Sequence, residues 1–165
     1  MEVSTLETLA QLSIGLVGFA GVVSALGRSR ITVETRRFRI KALLMYSTTA
    51  LAASVLPLVL ESFGLESTLV WVSAGIVLMG ALIGIAAWFA TIVNPLTRGG
   101  HLPTMLAYSL GFVSSLVIIL LIYGIVFARV QLASIYLVGL CWALGMGVFH
   151  FCMLVLSIQV EDEGT

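Results

Sequence analysis

The chain has 165 residues, of which 60% are hydrophobic and 10% are charged, and its mean hydropathy is +1.15. A soluble domain carries about 25% charged residues, so this composition excludes an ordinary water-soluble protein and indicates a single all-α domain embedded in a lipid bilayer. The formal net charge is zero, and the basic residues gather beside apolar runs, which favours anionic lipid headgroups over nucleic acid as a partner.

The first apolar run, residues 6–26, is long enough to cross a bilayer. Acidic residues stand before its apolar part and arginines follow it, which is the reverse of a cleaved signal peptide, so we expect an uncleaved anchor with its N-terminus outside. One side of the predicted helix has polar residues near its start and small residues further on. We expect another helix to pack closely against this side. That side contains Glu7, Gln11, Gly15, Gly18 and Gly21.

A basic stretch follows over residues 27–39 and continues into the second apolar run. It holds six of the eight Lys and Arg residues of the chain, namely Arg28, Arg30, Arg36, Arg37, Arg39 and Lys41. Short loops rich in Lys and Arg remain in the cytoplasm, so the stretch predicts a cytoplasmic loop. Contact with anionic lipid, or with an acidic segment of a partner, is a second hypothesis for the same residues.

The second predicted span, residues 40–60, contains Pro57. Proline has no amide hydrogen, so the carbonyl of Ala53 loses its usual helical partner, and we predict a kink or local rehydration there. Tyr46 lies on the same helical face as Ala53 and Pro57, and Glu61 closes the span on the outside.

The third predicted span, residues 68–93, has a tryptophan near each end. Trp71 and Trp88 would be about 25 Å apart on a helix, which matches the separation of the two aromatic belts of a membrane protein. Gly80 and Gly84 form a GxxxG pair, which predicts a close helix contact. We expect most of the tyrosines to be belt residues: Tyr46, Tyr108, Tyr123 and Tyr136.

Two more apolar runs predict a fourth span at residues 104–127 and a fifth at 133–159. His150 lies inside the fifth span, where an ionisable side chain is rare and is a functional candidate by default. It could relay protons, bind an ion or gate a pore; the alternative is a neutral histidine with one hydrogen bond at a close helix crossing. Its face of the helix also contains Gly139, Ala143 and Gly147, small residues that predict close helix packing.

Five spans place the termini on opposite sides of the membrane. Seven of the eight Lys and Arg residues would then be internal if the N-terminus is outside and the C-terminus inside. The short loops fit a bacterial cytoplasmic (inner) membrane.

We find no paired catalytic side chains, haem ligands, phosphate-binding loop or metal-ligand pattern, so we expect no enzyme activity, no cofactor and no metal site. Two functions from different classes remain. The first is a homo-oligomer with an ion or small-solute permeation role, lined by polar residues near the outside (Glu7, Gln11 and Glu61) and by Tyr46 or His150 further in. The second is a membrane scaffold or accessory subunit that binds another membrane protein or anionic lipid.

Overall fold

The computed structural model describes residues 3–26, 33–98, 104–128 and 131–159. Within these ranges the chain is helical apart from short turns, which confirms the predicted all-α fold for this part of the protein. The five helices are α1 Val3–Leu26, α2 Val33–Ser62, α3 Ser67–Arg98, α4 Thr104–Val126 and α5 Leu132–Gln159.

Four of the described helices, α2 to α5, contain segments that are long and apolar enough to cross a membrane. Much of their outward surface is apolar too, as at Phe112 and Ile119, which are 66% and 60% exposed. Surfaces of this kind are compatible with contact to lipid. The remaining helix, α1, has 24 residues and is therefore about 36 Å long, and its crossing stays a prediction.

α2 and α3 extend further beyond the predicted spans than the other helices do. α2 begins at Val33, so residues 33–39 of the predicted basic loop are helical, and α3 continues from residue 93 to Arg98. Hydropathy marks the part of a helix that suits hydrocarbon and does not mark where the helix itself begins or ends. Long basic side chains such as Arg37 tolerate that position because their charged heads reach towards solvent.

α5 lies in the middle of the bundle and packs against each of the other four helices. The core around it combines aliphatic and aromatic side chains, including Leu78, Leu82, Leu121, Tyr136 and Leu140. Successive helices joined by short connections run antiparallel. We call the end of the bundle that holds the start of α1 and the end of α2 the Glu61 end, and the opposite end the Arg39 end.

A glycine turn links α2 to α3 at the Glu61 end. Gly64 has a φ of +73°, a left-handed conformation that side chains with a Cβ rarely adopt, and its amide donates to the Glu61 carbonyl at 2.9 Å. The turn therefore stops α2 close to Glu61 and leaves this carboxylate exposed at the end of the bundle.

Candidate functional site

His150 lies inside the bundle near the Arg39 end, within a cluster of aromatic rings. It is 4% exposed, and its ring stacks on Tyr46 of α2 with centroids 5.9 Å apart and planes at 19°. Phe38 and Phe149 meet it edge-on at 6.1 and 5.5 Å. Phe38 in turn stacks on Trp88 of α3, so the cluster joins three helices around the imidazole.

Polar groups also lie at this α2–α5 contact. Arg39 is half-buried, and its Nη1 donates to the backbone carbonyl of Met153 at 2.7 Å, which ties the start of α2 to the end of α5. Two buried polar atoms, Ser47 Oγ and His150 Nε2, have no hydrogen-bond partner among the described residues. A buried polar atom without a partner is energetically costly, so this contact differs from the apolar core around it.

Tyr46 and Tyr136 are core residues and do not belong to an interfacial belt. They are 5% and 0% exposed, whereas Tyr123 is 53% exposed. The Tyr136 hydroxyl donates to the carbonyl of Ala53, and its ring meets Trp71 edge-on at 5.7 Å. The belt interpretation is thus wrong for both residues, because each lies on the side of its helix that faces the α2–α5 contact.

The polar and small-residue side of α1 points away from the other helices. Glu7, Gln11, Gly15 and Gly18 are exposed, and a Cβ atom placed at Gly15, Gly18 or Gly21 would have no neighbour within 4 Å. Leu6 and Ser13, on the opposite side, are 3% and 0% exposed and face the bundle. The helix expected against the glycine side is therefore not one of the other four helices that the structure describes.

A groove of about 420 Å³ runs beside that polar side, between α1 and α5. Thr8, Gln11 and Gly15 line it from α1, together with Leu144 and Val148 from α5. It opens on the outside of the bundle.

The five candidate pathway residues do not converge within one chain. Tyr46 and His150 meet in the interior, Glu7 and Gln11 lie on the outward side of α1, and Glu61 is exposed at the end of α2. A single chain therefore does not form one continuous polar pathway from these residues.

The predicted packing glycines of α3 and α5 fall into two groups. A Cβ at Gly139 would lie 3.1 Å from Leu78, and one at Gly147 would lie 3.2 Å from Ser47 Oγ, so both glycines, with the buried Ala143, line helix contacts of α5. A Cβ atom placed at Gly80 or Gly84 would have no neighbour within 4 Å, and both glycines face outwards from α3.

The basic cluster is described in part. Arg37 and Lys41 are exposed beside the half-buried Arg39 at the start of α2. Arg28, Arg30 and the side chain of Arg36 lie outside the described residues. Among the residues that are described, no three His, Cys, Asp or Glu side chains come together as metal ligands.

Three members of the His150 surroundings were not singled out from the sequence, namely Ser47, Phe38 and Phe149. Ser47 is one of several serines in apolar helices, and Phe38 stands within the basic stretch. The spacing from Phe38 to Tyr46, about two helical turns, puts both on one face and is the available sequence signal.

No protein-family model, no curated protein and no solved structure matches this chain.

Proposed function

We propose that the protein is a five-span bundle of a bacterial inner membrane, with its N-terminus outside and its C-terminus inside, and that copies associate through α1. In this arrangement the polar side of α1 lines a pathway for ions or small solutes between the copies. One observation carries the proposal: Glu7, Gln11, Gly15 and Gly18 face away from the rest of the chain.

A polar helix side that points into lipid is unfavourable. Carboxylates and amides in hydrocarbon lack hydrogen-bond partners, and such residues in spanning helices usually face other helices or a water-filled space. The Gln11 amide both donates and accepts, so the same residue of a second copy is a suitable partner. Gly15 and Gly18 let two backbones approach closely. A second copy of the chain therefore fits both the polar groups and the shape of this side of α1.

The permeation role follows from where the charge lies. Glu7 stands near the start of α1, at the Glu61 end, and one Glu7 from each copy would form a ring of carboxylates at the mouth of a shared pathway. Rings of this kind attract cations. The bundle centre is filled by side chains such as Leu78, Leu121 and Tyr136, so we place the pathway between copies and not through one chain.

Cysteine cross-linking in membranes tests the association. Cys141 and Cys152, both exposed, are first replaced by serine, and a single cysteine is then introduced on α1. We expect Gly15→Cys to give a disulfide-linked dimer on oxidation. Ser13→Cys is the matched control, because Ser13 is buried against the bundle. Equal cross-linking of the two variants, or none at Gly15→Cys, would contradict association through this side.

Ion flux in liposomes tests the permeation role. We expect the purified protein to conduct, and Glu7→Gln to lower its preference for cations over anions. Glu66→Gln is the control, since Glu66 is exposed in the α2–α3 turn and not on α1. A strictly monomeric protein that passes no ions at any pH would exclude this function.

A scaffold or accessory role is the second candidate, and the open Gly80–Gly84 side of α3 favours it. A helix of another membrane protein would fit against these glycines, with anionic lipid held by Arg37 and Lys41. In native membranes this role predicts that Gly84→Cys cross-links to a different protein while Gly15→Cys gives no dimer. Neither candidate requires catalysis or a cofactor.

A further inference from the structure

We propose that the contact between α2 and α5 at Ser47 and His150 is a binding site for internal water, held by Ser47 Oγ and His150 Nε2. Ser47 is 0% exposed and His150 is 4% exposed, and both atoms lack a partner among the described residues. Buried polar atoms in folded proteins are nearly always paired with protein or with ordered water. Two such atoms in one helix contact therefore point to one hydrated site.

Ser47 differs from other buried or half-buried serines of the chain in where its hydroxyl points. Ser13, Ser54 and Ser73 each donate to the carbonyl four residues earlier in their own helix, at 2.6 to 2.8 Å. That bond is the usual way for a serine to be satisfied in an apolar helix. The Ser47 oxygen is instead directed at α5, where a Cβ at Gly147 would lie 3.2 Å from it.

The two unpaired atoms belong to the same part of the α2–α5 contact. Ser47 follows Tyr46, whose ring stacks on His150, and Gly147, which Ser47 faces, is about one helical turn from His150. The absence of a side chain at Gly147 is what allows the serine oxygen to approach α5 so closely.

The surroundings favour a small ligand that can both donate and accept a hydrogen bond. Arg39, at the Arg39 end of the same contact, carries a positive charge that disfavours a cation. The close approach at Gly147 and the rings of Phe38, Tyr46 and Phe149 leave little space for a larger molecule. Water both donates and accepts, so it can bind the hydroxyl and either tautomer of the imidazole.

This inference does not depend on the proposed function. A hydrated site would give a buried histidine a partner for proton exchange whether or not the protein conducts ions.

Paired serine variants test the site through the sign of their effect on thermal unfolding in detergent. If a bound water is hydrogen-bonded to Ser47 Oγ, Ser47→Ala removes one of the two protein partners of that water. We then expect the unfolding midpoint to fall by a few degrees. If the contact is dry, the same change removes an unpaired hydroxyl and the midpoint rises. Ser54→Ala is the control, because Ser54 is equally buried on α2 but bonds to its own helix. A rise, or the same small shift in both variants, would overturn the proposal.

Nitrogen-15 NMR of His150 tests the hydrated site without relying on the stability of the serine variants. The chain has two histidines, so His101→Asn leaves His150 as the sole labelled imidazole. We expect a proton of its ring to exchange magnetisation with water, and the Nε2 resonance to move in Ser47→Ala but not in Ser54→Ala. A ring without contact to water in the otherwise unaltered protein would refute the hydrated site, even if Ser47→Ala fails to fold.

Discussion

Pro57 and Tyr136 form a compensating pair inside the bundle. A proline within a helix leaves the carbonyl four residues earlier without its amide donor, and in α2 that carbonyl belongs to Ala53. The Tyr136 hydroxyl of α5 donates to the same oxygen, and Pro57 and Tyr136 are both fully buried. The Tyr136 side chain thus supplies the hydrogen bond that the proline removes from the backbone of α2.

Removing this hydroxyl should destabilise the fold. Tyr136→Phe leaves the Ala53 carbonyl buried and unpaired, and we expect the free energy of unfolding to fall by about 1–3 kcal/mol. Unfolding in mixed detergent, followed by circular dichroism, measures the change. Tyr123→Phe is the matched control, since Tyr123 is 53% exposed, and it should have little effect. Equal stability of the two variants would mean that the Ala53 contact contributes nothing.

At the scale of helices, glycines in similar patterns have different surroundings. Gly139 of α5 lies against Leu78 and Leu121, with a Cβ position 3.1 and 3.3 Å from their methyl carbons, whereas Gly84 of α3 faces open space. Helical spacing alone does not distinguish them, because it reveals which residues share a side and not what lies opposite. The central position of α5 makes the difference.

This contrast predicts opposite outcomes for the same substitution. Gly139→Leu forces a large side chain into the α3–α4–α5 contact, and we expect it to cost about 1–3 kcal/mol of stability as an overpacked core does. Gly84→Leu should leave the unfolding of the isolated chain nearly unchanged. Thermal unfolding of both purified variants measures the difference. A Gly84→Leu chain as unstable as Gly139→Leu would show that the α3 side is packed within the protein.

At the scale of the whole molecule, the distribution of charge determines the expected orientation. The basic cluster lies between α1 and the first turns of α2, and Arg37 and Lys41 are exposed at the Arg39 end. Positive residues beside a spanning helix keep their end in the cytoplasm. Glu7, Glu61 and Glu66 are exposed at the Glu61 end, and the proposed orientation therefore has this end on the outside.

Neutralising the cluster should disturb that orientation. We expect replacement of Arg28, Arg30, Arg36 and Arg37 by glutamine to give a mixture of two orientations. Their replacement by lysine is the control and should preserve one orientation, because the rule depends on charge and not on the guanidinium. The orientation is measured with Leu65→Cys in a chain in which Cys141 and Cys152 are replaced by serine. The reaction of the new cysteine with a membrane-impermeant thiol reagent shows on which side of the membrane it lies. Inaccessibility of this cysteine from outside in the unmutated background would contradict the topology.

The sequence alone determined the all-helical class, the approximate helix positions and the inward placement of His150, because hydrophobic runs and helical period are local properties of the chain. It also indicated that Pro57 would deprive Ala53 of a partner. Tertiary structure decided which side chains meet: Tyr136 supplies the missing donor from 83 residues away, Tyr46 stacks on His150, and the polar side of α1 faces outwards. These pairings depend on how antiparallel helices rotate about their axes and pack against one another, and that rotation is set by the whole set of contacts and not by any one segment.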